Sequence, residues 1–369
     1  MIPVFRPSIG EEEIVAVNDV LRSGWIGQGP KVADFENNFA SYIGAKYAVA
    51  LNSCTSALHL ALTTFGISKG DEVLLPTLTF VSTAHAVEYT QAKPVFCDID
   101  PDTFCISVED MKNKLTPNSK ALIPVHYGGH PCEMDELLKV SKEYNLVIID
   151  DAAHACGAEY KGRKIGSIGD ATCFSFHAVK NIATGDGGMI TTDDEEIAGQ
   201  LEKNRWLGID KTTWKRTKGH GYDWYYEVSV LGYKYHMNDI AAAIGLEQLK
   251  KLDSMNARRR EIVTRYNETF RNIPWITPPI EKPYVKSALH NYVIKTHYRD
   301  ELHQYLKTKR IATSVHYMPI HLHPYYTEKY RPNLPVAEQI WHELLTLPLY
   351  PDLTDTEISY IVDSVKSFR

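Results

Sequence analysis

Apolar positions in the first half of the chain fall into short blocks separated by longer mixed stretches. "YAVAL" (47–51), "DEVLLP" (71–76), "KPVFCDI" (93–99), "KALIPVHY" (120–127), "NLVIID" (145–150) and "ATCFSF" (171–176) read as strands. Runs such as "LVIID" place apolar side chains on both faces. That is the signature of a parallel sheet covered by helices on each side. The stretches between fit this picture: "TSALHLALTTFG", ending at Gly66, and "TFVSTAHAVEYT" predict helices. The second half changes character. Residues 238–272 read as one long or broken helix capped by Asn238 or Asp239 and stopped by "IPWITPP". From about residue 275 onward, short strands and helices predict a smaller α+β domain. The expected architecture is therefore α/β, a mostly parallel sheet flanked by helices in a large domain of residues 1–250, with a small C-terminal α+β domain over 251–369. Sheets of this kind bind ligands in the crevice beyond the carboxyl ends of their strands, so strand-end residues are the place to look for function.

Composition narrows the field. The chain has 369 residues, 44% hydrophobic and 23% charged, the profile of an ordinary globular protein. Its 40 basic and 46 acidic side chains give a net charge of −6, which argues against nucleic acid as a partner. The stretch "MIPVFRPSIGEEEI" lacks a charged region followed by a long apolar run, so no signal peptide is expected, and no run approaches the apolar length of a membrane span. The six cysteines are scattered without a C-x-x-C pair. Reduced thiols in a cytoplasmic enzyme fit this better than a disulfide framework or a zinc site.

Three strand ends carry chemistry. "NLVIIDDAAHACGA" delivers Asp150 and Asp151 together, but consecutive strand residues face opposite sides and cannot share a role. His154 follows close by, and helix capping is the competing reading of this segment. "ALNSCTSALHLAL" sets Ser53, Thr55 and Ser56 at a strand-to-helix junction. There the free N–H groups and positive dipole end suit a phosphate, or the hydroxyls simply cap the helix. "FSFHAVKNIATGDGG" brings Ser175, Lys180 and Asn181 to the sheet edge ahead of a glycine-rich turn that lets backbone approach a ligand closely. Alone, a loop lysine is usually a solvated one. Together, a phosphate cup, a strand-end carboxylate and a lysine are what pyridoxal phosphate requires: a helix N-terminus for the phosphate, a carboxylate for the ring nitrogen and an amine for the aldehyde.

"SCTSALHLAL", "PTLTFVSTAHAV", "IIDDAAHACGA", "FSFHAVKNIATGDGG", "LGYKYHMNDIAAAIGLEQL" and "VHYMPIHLHPYY" occur in this order. In this the chain resembles the DegT/DnrJ/EryC1/StrS family of fold-type I sugar aminotransferases over nearly its whole length. The resemblance implies a pyridoxal-phosphate enzyme that moves an amino group from glutamate, releasing 2-oxoglutarate, to a keto group of a nucleotide-linked sugar. It assigns Lys180 as the Schiff-base lysine, Asp151 to the pyridine nitrogen, and His154 to a place near the phenolic oxygen. Thr55, Ser56 and Ser175 go to the phosphate, and Phe80 to the ring face. The "LGYKYHMND" segment, with Lys234 where many relatives carry Asn, is implied to reach the phosphate of a partner subunit, which makes the expected assembly a homodimer with shared sites. Trp25, His316, Tyr317 and His321 are implied to lie near the sugar. The basic and aromatic loop 211–224 offers Lys215, Arg216 and Lys218 to a diphosphate and Trp214 or Tyr222 to a base, the competing reading being a solvated surface. Cys54 replaces the usual glycine of its motif, which negative φ there would tolerate, and "RWLGID" stands where many relatives have a His-Gly pair. A dehydrating branch of the family has histidine in place of the lysine, so Lys180 favours amination over elimination. The intact Lys180, Asp151 and Ser175 argue against a non-catalytic regulator.

Overall fold

The computed structural model describes residues 1–211, 213–217 and 224–369, except for the side chain of Lys215. Seven strands form the central sheet: β1 (Tyr47–Leu51), β2 (Glu72–Pro76), β3 (Lys93–Cys97), β4 (Ser119–Leu122), β5 (Val147–Asp151), β6 (Ala171–Ser175) and β7 (Gly188–Thr192). Their order is β1-β7-β6-β5-β4-β2-β3. From β6 across to β3 all neighbours are parallel, while β7 runs antiparallel to both β6 and β1. The chain is thus α/β with a mostly parallel sheet.

The strand that hydrophobic patterning did not single out is β7. Its sequence, "GMITT", offers only two large apolar side chains, yet every residue is buried. The two threonines tolerate this because their hydroxyls donate to the Gly166 and Asp170 carbonyls at 2.8 Å each. Hydrogen-bonded hydroxyls remove most of the cost of burying them. Strand β4 is shorter than its apolar run. It stops at Leu122, and the chain beyond Pro124 rejoins β5 only through a single bridge between Val125 and Asp151.

Side chains alternate between two cores. Ile148, Phe174 and Phe176 point to one face, where Phe35 and Phe39 of α2 (Pro30–Ile43) cover them. Ile149 and Cys173 point to the other, against Leu58 and Leu62 of α3 (Cys54–Thr64) and Val87 of α4 (Ser82–Tyr89). Each such fully buried Leu or Phe contributes about 1.5–3 kcal/mol of burial free energy, so both sheet faces are firmly held. Asp150 and Asp151 inherit this alternation and leave the sheet on opposite sides.

The long helix α5 (Asp239–Phe270, 32 residues) is continuous. Asn238 is its cap, accepting from the Ala241 N–H at 2.9 Å. Asp239 does something else: its carboxylate accepts from the N–H groups of Gly29, Lys31 and Val32 at 2.8, 3.2 and 3.1 Å, and so caps α2. The helix starts on the sheet and ends in a third apolar cluster with Tyr266, Phe270, Leu302, Leu345, Ile358 and Val365. That cluster surrounds the antiparallel pair Tyr292–Lys295 and Leu344–Leu347. Residue 250 lies inside α5, and the chain start also joins the C-terminal unit, Ile2 N–H donating to the Arg310 carbonyl at 2.8 Å. Among the described residues no helix is long and apolar enough to cross a membrane.

Candidate active site

A cavity of about 380 Å³ opens at the carboxyl end of the sheet. Strand β5 places Asp151 on its floor, where Thr83 Oγ1 donates to Oδ2 at 2.8 Å and the Ala153 N–H to Oδ1 at 3.1 Å. Burial pushes this carboxyl above the usual aspartate range, against those two donors. An ionised Asp151 therefore gains from a cation beyond the protein's own donors. Asp150 points away, accepting from Thr172 Oγ1 at 3.1 Å with His126 Nε2 at 3.4 Å.

His154 follows on the loop after β5. The Gly128 N–H donates to its Nδ1 at 3.3 Å, which leaves the proton on Nε2, 3.0 Å from the Tyr317 hydroxyl. Burial, with the nearby Lys180 and His316, holds this imidazole neutral by driving its pKa well down. Its ring lies 4.4 Å from that of His290 and stacks on Tyr317.

Lys180 enters from the opposite wall on the turn after β6, with its own N–H donating to the His177 carbonyl at 2.9 Å. Burial lowers its pKa to about 8, and the Asp151 carboxylate limits the fall. The glycine loop then returns the chain into β7. A Cβ on Gly188 would sit 2.4 Å from the Ser53 carbonyl oxygen, so only glycine lets β7 lie against the start of α3. That start opens into the cavity. Ser53 is the cap, accepting from the Ser56 N–H at 3.1 Å. Thr55 Oγ1 donates to Ser82 Oγ at 2.8 Å, and Ser175 Oγ accepts from the His177 N–H at 3.4 Å. Cys54 is the first residue of α3 and is not among the positive-φ positions, which removes the need for glycine there.

The cavity gathers Thr55, Phe80, Asp151, His154, Ser175, Lys180, His316 and Tyr317 from the residues the sequence pointed to. Ser56 lies just behind the wall, its hydroxyl donating to Asn52 Oδ1 at 2.6 Å. Trp25 and Lys234 line a second cavity of about 370 Å³ with Trp206 and His236. There Lys234 Nζ sits 3.6 Å from the Trp206 ring centre, and Trp25 meets Trp214 edge-on at 4.9 Å. His321, in the short helix Ile320–Leu322, is buried and lines neither cavity, and its ring bridges Thr77 Oγ1 at 2.6 Å and Glu338 Oε1 at 3.2 Å. Lys218 and Tyr222 lie outside the described residues, as does the side chain of Lys215. Thr83, Phe5 and His290 were not anticipated. Thr83 sits in a helix whose apolar neighbours mask it. Phe5 and His290 come from remote segments with no local chemical pattern.

These residues fit pyridoxal phosphate. A carboxylate short of a cation faces the ring nitrogen's role, a lysine with a depressed pKa faces the aldehyde's, and a helix N-terminus closed by glycine backbone faces the phosphate's. Phe80, 56% exposed although a large aromatic, stands at the cavity wall ready to cover a ring. Fold and cavity together define a fold-type I pyridoxal-phosphate enzyme.

Comparison with known proteins agrees. The model of the DegT/DnrJ/EryC1/StrS aminotransferase family matches residues 7–366, and the chain belongs to that family. It is 49% identical to the uncharacterised protein MJ1066 of Methanocaldococcus jannaschii, covering 99% of this chain and 97% of that one. It is 46% identical to the spore coat polysaccharide biosynthesis protein SpsC of Bacillus subtilis, with 99% and 96% covered. Among solved structures it matches the putative sugar aminotransferase Spr1654 of Streptococcus pneumoniae in its PMP form, with TM-score 0.94 and 35% identity over 100% of this chain and 99% of that one. The PLP form of the same protein gives 0.93, with 34% identity over 100% and 98%. The cofactor is pyridoxal phosphate.

Proposed function

We propose that this enzyme transfers an amino group from glutamate to a keto carbon of a nucleotide-linked sugar, as a homodimer whose active sites are shared between chains. The observation that carries this reading is the pairing of Lys180, its pKa down at about 8, with the buried Asp151 in one cavity at the start of α3. The relatives' printed names, sugar aminotransferase and polysaccharide biosynthesis protein, support the sugar as acceptor. Pyridoxal phosphate, when bound, supplies an aldehyde that captures primary amines and a ring that withdraws electrons from the adjoining carbon.

The chain's residues then have separate tasks. Lys180 Nζ would hold the aldehyde end of the group and, as a free amine, would carry the proton to and from the reacting carbon. A pKa near 8 suits an amine that must do both close to neutral pH. Asp151 would hold the ring nitrogen in its protonated form, which would supply the cation its burial leaves it short of. His154, neutral and with its Nε2 proton donated to the Tyr317 hydroxyl, would stand fixed beside the ring. Phe80 covers one face and keeps water off it. The α3 N-terminus, Thr55 and Ser175 would hold the phosphate, with Ser56 one step behind the wall. His316 and Tyr317 border the space left for the sugar. Arg216, Trp214 and Trp25 are offered to the nucleotide, and Lys234 to the neighbouring chain's phosphate.

Adding glutamate to the holoenzyme should convert the lysine-bound cofactor to its amine form, with release of 2-oxoglutarate. A panel of nucleotide-linked 3-keto and 4-keto sugars should then restore the original absorbance with one member. A cofactor that glutamate leaves unchanged, or restoration by no nucleotide-linked keto-sugar, would sink the reading.

A further inference from the structure

Asn181, next to Lys180, takes no part in the site as described, yet it is 2% exposed and tightly held. Its Nδ2 donates to the Ala288 carbonyl and to Asn256 Oδ1, each at 2.8 Å. Asn256, on α5, in turn donates from Nδ2 to the Cys156 carbonyl at 3.1 Å. Its Oδ1 also lies 3.4 Å from Nη1 of the buried Arg259. About two turns of helix earlier on the same face the contact repeats, with Gln248 Oε1 accepting from the Ala183 N–H at 3.4 Å.

The three tethered segments are those that carry the site. Cys156 closes the loop that starts at Asp151 and holds His154. Ala288 stands just before His290, whose ring packs on His154. Asn181 shares a peptide plane with Lys180. Fixing the Asn181 side chain toward α5 fixes that plane, and so the direction in which the lysine stem leaves the backbone. A long flexible side chain otherwise samples many rotamers.

We infer that Asn181 and Asn256 form an amide clamp that positions Lys180 against Asp151. They are positioning residues, since neither lines the cavity. The inference rests on the reading of Lys180 as the cofactor's lysine.

The clamp predicts a pattern. Asn181→Ala removes both donors, and Asn256→Leu removes the acceptor while keeping bulk. Asn256→Asp keeps the acceptor for Asn181 and gives Arg259 a carboxylate, at the loss of the bond to Cys156. The readout is the pH titration of the lysine–cofactor absorption band in the holoenzyme, together with the rate of the glutamate half-reaction. Asn181→Ala and Asn256→Leu should each move the titration midpoint on the order of one unit, because a shifted lysine nitrogen changes both its burial and its distance from Asp151. They should slow the half-reaction on the order of tenfold to a hundredfold, the range expected for sub-ångström to ångström misplacement. Their effects should not add in the double variant, since both break one link. Asn256→Asp should titrate like the parent.

An unchanged midpoint in Asn181→Ala, or additive effects, would overturn the clamp and leave only a stability role. Should Asn181→Ala fail to fold, the two Asn256 variants decide: a shift in Leu but not Asp supports the clamp, and equal midpoints overturn it. Borohydride reduction with peptide mapping separates the two levels. An adduct on another lysine would sink the functional reading itself. An adduct on Lys180 with an unmoved midpoint would sink only the clamp.

Discussion

The two cavities are built on different terms. Around Lys180 every anchor comes from one chain, and the polar groups have partners: Asp151 has Thr83 and Ala153, while His154 has Gly128 and Tyr317. Around Lys234 the lysine is exposed and rests on the Trp206 ring. The neighbouring segment 224–231 presents Trp224 (74% exposed), Val228 (61%) and Leu231 (93%). Apolar exposure on that scale marks a surface that something covers. The first region is a finished pocket, and the second is an open apolar face. The contrast makes the face around Lys234 the place to test the proposed sharing of sites between chains.

The largest effect should come from breaking the finished pocket at its centre. Lys180→Ala removes the amine and should reduce turnover by on the order of 10²–10⁴ or more, since a positioned acid–base group alone is worth that much. The measurement is steady-state turnover with the accepted keto-sugar. A variant within tenfold of the parent would remove Lys180 from the chemistry.

Next comes the aspartate pair, which tests whether the pocket's polarity follows strand alternation. Asp151→Asn should lose most activity and bind the cofactor weakly. Asp150→Asn should cost stability, about 1–3 kcal/mol for disturbing a buried polar partner of Thr172 and His126, while turnover per folded molecule survives. Paired denaturation and kinetic measurements separate the two. Equal catalytic damage from both would contradict the geometry.

Lys234 then tests the unfinished region. Lys234→Ala should weaken phosphate retention in a partner's site, a moderate loss because an exposed lysine acts as a screened point charge. Mixing it with Lys180→Ala under subunit exchange should restore part of the activity, since one site of each mixed dimer carries neither lesion. Proven exchange without recovery would mean that each chain completes its own site.

How far the sequence carried differs between the same two regions. The sheet was legible because six of its strands are apolar on both faces, and Lys180, Asp151 and Ser175 because strand ends in such a sheet are few and chemically marked. Strand β7 was not, because buried threonines satisfied by carbonyls look polar in a sequence. His321 reads in the sequence as site chemistry, while in the fold its ring bridges Thr77 and Glu338 outside both cavities. Phe5 and His290 reach the cavity, and Thr83 reaches Asp151, only through tertiary packing, which no local pattern encodes. At Lys234 the sequence supplied the residue, and the fold leaves it exposed on the Trp206 ring, where its proposed role awaits the subunit-exchange test.

The smallest expected effect is a displacement along the pH axis, and it tests whether the pocket's burial is what sets Lys180. Only the neutral amine captures an aldehyde. In cofactor-free protein, the rate of pyridoxal phosphate capture should therefore rise as pH climbs through about 8, not through the ordinary lysine value of 10.5. Burial is the leading cause of the drop and Asp151 opposes it, so Asp151→Asn should move the midpoint to still lower pH. Lys234→Ala, in the other cavity, should leave it in place. The stability linkage has a matching sign. The folded amine holds its proton less tightly than the unfolded one, so the native state bears a penalty below about pH 8 that is relieved as pH rises toward 10.5. Cofactor-free parent should accordingly gain stability over that window relative to Lys180→Met, measured by denaturant titration at several pH values. A capture midpoint near 10.5 with no such gain would mean the amine stands in water, and that the cavity is no more finished than the face around Lys234.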